Sequence, residues 1–133
     1  MAASSSSNSL AEAPAAPEST RGHPLHEAVW RRDLREVSRL LRSGEGGPVN
    51  ARDRRGNTPL HIAAHFGFGD VTFLLRKYGA DVAYKNGGGF SAFQEAIAGG
   101  HTDVTLQLYV VPAIIFLFCF VFPLIFLSFF FSF

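Results

Sequence analysis

One segment of this chain is written three times, and that repetition limits the folds open to it more than any other feature. Thr58-Pro59-Leu60-His61-Ile62-Ala63-Ala64 aligns with Ser91-Ala92-Phe93-Gln94-Glu95-Ala96-Ile97, one period further along. It also aligns with His23-Pro24-Leu25-His26-Glu27-Ala28-Val29, at a spacing two positions longer. The two extra positions fall in the Gly44–Pro48 connection, where an insertion lengthens a loop without disturbing a helix. Units of this period stack on one another, because one unit alone cannot bury its apolar side.

Each residue of the repeated string has a structural task. Thr58 is placed to cap a first helix, and Pro59 takes its first position, where a missing N–H costs nothing. Leu60 enters the core, Ala63 and Ala64 let neighbouring helices approach closely, and Gly67 stops the helix. Val71, Leu74 and Leu75 give a second helix one apolar face, and Gly79 ends it in the left-handed conformation. His61 bonds the backbone of the turn. Asp53–Asn57 and Asn86–Gly89 read as turns projecting between units.

The spacing from Thr58 to Ser91, with Thr58-Pro59-Leu60-His61 followed by Ala63, resembles the ankyrin repeat, a turn plus two antiparallel helices. The expected fold is therefore all-α, a solenoid of about three helix-turn-helix repeats followed by a C-terminal hydrophobic helix. The expected boundaries are a disordered leader at 1–21, repeats at 22–52, 53–85 and 86–109 (the last incomplete), and a hydrophobic tail at 110–133. Repeat one has His23 in place of the capping Thr, and repeat three has Ala92 and Gln94 in place of Pro and His. The leader is Ala-, Ser- and Pro-rich, with too little apolar surface to offset chain entropy.

The tail is a different kind of sequence. Nine of the fourteen Phe lie between Phe116 and Phe133, and no charged residue follows Asp103. As a helix, 110–133 would extend roughly 36 Å, enough for a hydrocarbon core of about 30 Å. The tail is thus a candidate transmembrane helix that leaves the repeats cytosol-facing. A second reading stays open. From Phe116 to Phe133, all but Cys119, Val121 and Ile125 are Phe, Leu, Ser or Pro, which have codons made only of pyrimidines. On that reading the tail is translated intron or another gene-model artefact, and the chain is a soluble, cytoplasmic ankyrin adaptor fragment.

Within the ankyrin repeats, Glu27-Ala28-Val29-Trp30 followed by Asp33-Leu34, Gly56-Asn57-Thr58-Pro59-Leu60-His61, and Gly89-Phe90-Ser91 with Gln94-Glu95-Ala96-Ile97 form a more particular pattern. It resembles the N-terminal region of the ankyrin-repeat GPCR-chaperone family over about residues 22–109. The resemblance implies a membrane-associated protein on the cytoplasmic face, with a membrane receptor as partner and a role in receptor biogenesis or trafficking at the endoplasmic reticulum. Members of that family continue into a long C-terminal chaperone domain, whereas this chain runs into the Phe-rich tail. Phe90 stands where the family usually has Trp.

The remaining chemistry points to binding rather than catalysis. A net charge of +1 argues against a dedicated nucleic-acid binder, and one Cys cannot close an intrachain disulfide. No Ser/His/Asp or paired-carboxylate spacing is tied to a pocket. His61 and His65 lie one turn apart, but Ile62 stands where a zinc-protease motif needs Glu, so no metal is expected. No cofactor or small-molecule substrate is expected either. Residues 21–55 hold nine Arg against five acids, with Arg31, Arg35, Arg39 and Arg42 at helical spacing. That stripe reads as a solvated helix face or as a membrane-proximal contact with anionic headgroups. By analogy with ankyrin surfaces, Arg54, Arg55, Asn57, Phe66 and Phe68 are the candidate partner contacts. Trp30 reads as a packing residue.

Overall fold

The first helix of each pair starts inside the repeated string, at its second residue. The computed structural model describes residues 15–109. Its helices are α1 (Pro24–Trp30), α2 (Leu34–Ser43), α3 (Pro59–Phe66), α4 (Gly69–Lys77), α5 (Ala92–Ala98) and α6 over residues 102–109. A 3-10 turn at Glu18–Thr20 precedes them. Among the described residues there is no strand, only an isolated bridge between Lys85 and Ser91.

Local chemistry sets the helix ends. Asp33 caps α2, its side chain accepting from the Arg35 and Glu36 N–H groups at 3.1 Å. Ser91 and Gln94 form a reciprocal box at the start of α5: Ser91 N–H donates to Gln94 Oε1 at 2.9 Å and Gln94 N–H to Ser91 Oγ at 3.3 Å. Gln94 therefore keeps the capping half of the histidine's task in repeat three. Gly44 and Gly67 terminate α2 and α3 at φ 74° and 72°. Gly79, at φ 89°, follows α4, and Ala80 N–H reaches back to Leu75 O.

The helix pairs stack through their apolar faces. Leu25, Val29, Val37, Leu60, Val71, Leu75 and Val104 form one continuous buried core. Ala63, Ala64, Ala92 and Ala96 are fully buried where α3 and α5 approach, and their small size permits that approach. α3 is the centre of the stack, packing on α1, α4 and α5. Val104 and Leu108 bury against the same core from α6, so the incomplete third repeat still closes its helix pair.

The segment read from sequence as a leader, 1–21, contains the turn at Glu18–Thr20 and a fully buried Thr20. Thr20 Oγ1 donates to Pro17 O at 2.8 Å, and the turn packs on α1. The physical reason lies in the repeat. This turn stands where repeats two and three place their projecting turns, and the next turn's Arg54 N–H donates to Ser19 O. The expected hydrophobic helix at 110–133 lies outside the described residues. Among those described, no helix is long and apolar enough to cross a membrane.

Candidate functional site

Two projecting turns share one hydrogen-bond pattern, displaced by one repeat. Asp53 N–H donates to Asn57 O and Gly56 N–H to Asp53 O, both at 2.9 Å. Asn86 N–H donates to Phe90 O and Gly89 N–H to Asn86 O, again at 2.9 Å. Inside each turn a side-chain oxygen replaces a further backbone acceptor. Asp53 Oδ1 accepts from the Arg55 and Asn57 N–H groups at 2.9 and 2.8 Å, and Asn86 Oδ1 from those of Gly88 and Phe90 at 3.0 Å. The turns also stack: Gly87 N–H donates to Arg55 O at 3.0 Å, and Arg54 N–H to Ser19 O at 3.3 Å. A Cβ on Gly87 would lie 2.4 Å from that Arg55 oxygen, so the contact requires glycine.

Histidines fix the row of turns to the helices. His26 Nε2 lies 3.0 Å from Asn57 O, and His61 Nε2 lies 3.0 Å from Phe90 O. A carbonyl only accepts, so each Nε2 carries the proton. His61 Nδ1 accepts from Thr58 N–H at 3.3 Å and lies 2.8 Å from Thr58 Oγ1, which makes His61 the neutral tautomer. Burial is the main cause holding both imidazoles below their ordinary pKa. The motif histidine is thus a strut between repeats as well as a bond to its own turn.

Between the turns and helices α1, α3 and α5 lies a groove of about 430 Å³. Trp30, Ile62 and Phe66 supply an apolar wall, and Asp53, Arg55, Asn57 and Phe90 line the side formed by the turns. Trp30 meets Phe66 edge-to-face with centroids 4.7 Å apart, and Phe66 stacks on Phe68 at 5.5 Å. At the α5 end, Glu95 accepts from Asn86 Nδ2 at 2.9 Å and lies 3.1 Å from His65 Nδ1.

Of the residues singled out from sequence, Arg55, Asn57 and Phe66 line this groove together. Arg54 is exposed beside them and spends its backbone N–H on Ser19. Phe68 stands behind Phe66, with the Arg32 guanidinium 5.3 Å from its ring centroid. Thr58, Pro59, Leu60 and His61 are buried as structural residues. Trp30, read from sequence as a packing residue, packs on Phe66 and also lines the groove. Sequence reasoning missed Asp53 and Glu95, since an acidic residue in a turn or on a short helix carries no signal of what it faces.

The basic stripe is less uniform than its spacing suggests. Arg31 and Arg35 are exposed. Arg39 is held between Glu36 at 2.7 Å and Glu45 at 2.5 Å, and these two carboxylates raise its pKa. Arg42 folds back onto Ser38, its Nη2 donating to Ser38 Oγ at 3.0 Å. Among the described residues no group of His, Cys, Asp and Glu could hold a metal ion.

Stacked helix pairs with projecting turns, recurring at the spacing of Thr58 and Ser91, decide the family, and the family model for ankyrin repeats in three copies matches residues 15–111. The chain belongs to the ankyrin-repeat family. Over its ankyrin repeats it is homologous to members of the ankyrin repeat domain-containing protein 13 family. It is 38% identical over 85 residues to ankyrin repeat domain-containing protein 13C of Xenopus tropicalis, covering 64% of this chain and 16% of that protein. It is 36% identical over 86 residues to the Homo sapiens 13C protein, covering 65% of this chain and 15% of that one. With Homo sapiens 13B it shares 37% identity over 76 residues, 57% of this chain and 12% of the relative. The chain therefore spans about one sixth of the length of the 13C proteins.

Proposed function

We propose that this ankyrin stack is a non-catalytic protein-binding module at the cytosolic face of a membrane, with its partner seated in the groove between the turns and the inner helices. The observation that carries the binding reading is the preformed groove. An apolar wall of Trp30, Ile62 and Phe66 opens beside a rim of turn residues already locked by hydrogen bonds, so little ordering opposes association. Arg55, Asn57 and Phe66 are the contacts we assign, with Arg54 and Phe68 at their edges.

The membrane placement rests on other grounds. Residues 110–133 are charge-free and long enough to span a bilayer, and they follow directly on α6. The family resemblance points to a membrane receptor as partner and to receptor biogenesis or trafficking at the endoplasmic reticulum. Arg31 and Arg35 of the basic stripe are exposed, which supports a contact with anionic headgroups. The alternative, a soluble cytoplasmic adaptor fragment with an artefactual tail, is favoured by the composition of 116–133, where all but three residues are amino acids that pyrimidine-only codons can encode.

Carbonate extraction of membranes from cells expressing the full chain separates the two. Retention in the pellet, with proximity labelling of endoplasmic-reticulum membrane proteins that disappears on deleting 110–133, supports the anchored module. Release into the supernatant supports the soluble adaptor.

A further inference from the structure

Charge is sorted by depth in the row of turns. Over residues 17–21, 52–57 and 84–90 the cations are Arg21, Arg52, Arg54, Arg55 and Lys85, against Glu18 and Asp53. All five cations are exposed. Asp53 is only 7% exposed, because its carboxylate folds into its own turn, where Oδ1 accepts the Arg55 and Asn57 N–H groups. The surface that an incoming molecule meets is therefore basic, although the whole chain carries a net charge of only +1.

Two of these cations stand at the tip of the middle turn, and their bonds are made by the backbone. Arg54 N–H donates to Ser19 O at 3.3 Å, Arg55 N–H donates to Asp53 Oδ1 at 2.9 Å, and Arg55 O accepts from Gly87 N–H at 3.0 Å. Among the described residues neither guanidinium has an ion pair or a hydrogen bond. Arg52, by contrast, holds its guanidinium 5.2 Å from the Tyr84 ring centroid. Arg55 lines the groove together with Trp30, Ile62 and Phe66. Glu95, the other acid of the groove, has its two oxygens engaged by Asn86 and His65. The middle turn thus sets two unmatched cations at the edge of an apolar and aromatic wall.

We infer that the groove recognises an acidic segment of a partner protein. The segment sets an apolar side chain against the Trp30–Phe66 wall and an aspartate or glutamate beside it on Arg54 and Arg55. The planar guanidinium fork matches a carboxylate, whereas a partner lysine or arginine at that place meets like charge. At an exposed rim such pairs give selectivity and association rate, and the apolar anchor gives most of the affinity. This inference rests on the groove being the partner site and adds the chemistry that it selects.

The test is a peptide library screened on the full chain in detergent micelles, with the apolar anchors fixed and one flanking position varied through all side chains. The wild type selects Asp and Glu over Asn and Gln by about fivefold, and raising the salt to about 0.3 M removes most of that preference. R54A/R55A loses the preference and keeps the unfolding midpoint, since the bonds of both residues are made by the backbone. R35A/K77A removes the same charge from exposed positions on α2 and α4 and retains the preference. If peptides bind and are lost on Phe66→Ala, but acids are not enriched, or R54A/R55A keeps the enrichment, or R35A/K77A loses it equally, the inference falls and the groove remains the partner site. If no peptide binds in a Phe66-dependent way, the groove reading and the inference fall together.

Discussion

His61 Nε2 lies 3.0 Å from the carbonyl oxygen of Phe90, one repeat away, and this bond ties the row of turns to the helical stack. His26 makes the same bond to Asn57. The groove owes its shape to these two struts, because they set how far the turns stand from the inner helices.

Burial holds the pKa of both histidines below the ordinary value. Between that lowered pKa and about 6.5 the unfolded chain binds more protons than the folded one. Their contribution is therefore fully present above the ordinary pKa and is lost as pH falls through the window below it. Thermal unfolding between pH 7.5 and pH 5 should show a falling midpoint, and His61→Gln should flatten that dependence.

His61→Gln also tests the strut itself. Gln94 shows that glutamine at this position preserves the local cap, so the variant removes chiefly the reach to Phe90. A loss of about 1–2 kcal/mol in urea unfolding is expected. An unchanged midpoint would mean that the turns are held by their stacking alone.

Gly87→Ala addresses that stacking. Its new Cβ would lie 2.4 Å from Arg55 O, a backbone atom that cannot move without separating the turns. The expected cost is about 1–3 kcal/mol, and amide exchange should quicken at Gly87, whose N–H bonds Arg55 O.

Leu60→Ala tests the core under the groove. Leu60 is fully buried in α3, the helix on which three others pack. Truncation should cost about 2–5 kcal/mol. Because each repeat contacts only its neighbours, exchange protection should fall in both flanking helix pairs, α1–α2 and α5–α6.

Much of this architecture is legible in the sequence because ankyrin motif residues do local work. Pro59 marks a helix start, Gly67 and Gly79 mark helix ends, and the period places the turns before any contact is known. What is not legible depends on neighbours. The turn at Glu18–Thr20 has no motif of its own and is held by α1 and by the turn after it, so its composition reads as leader. Trp30 has an ordinary helical spacing, and only the fold shows its ring turned to both Phe66 and the groove. Asp53 acquires meaning only in the fold, where its carboxylate turns into its own turn and leaves Arg54 and Arg55 exposed beside it. For Arg31, Arg35, Arg39 and Arg42 the spacing gives a solvated helix face partly paired with acids, and the fold adds which acids hold Arg39, namely Glu36 and Glu45.

The central claim is that partners meet the groove face of this ankyrin stack. Site-specific photocrosslinking in cells tests it directly, using a photoreactive phenylalanine analogue at Phe90 on the groove or at Phe73 on α4. Both side chains are exposed, by 53% and 66%, so accessibility does not separate them. Discrete protein adducts are expected from position 90 and none from position 73. Adducts from position 73 with none from position 90 would contradict it.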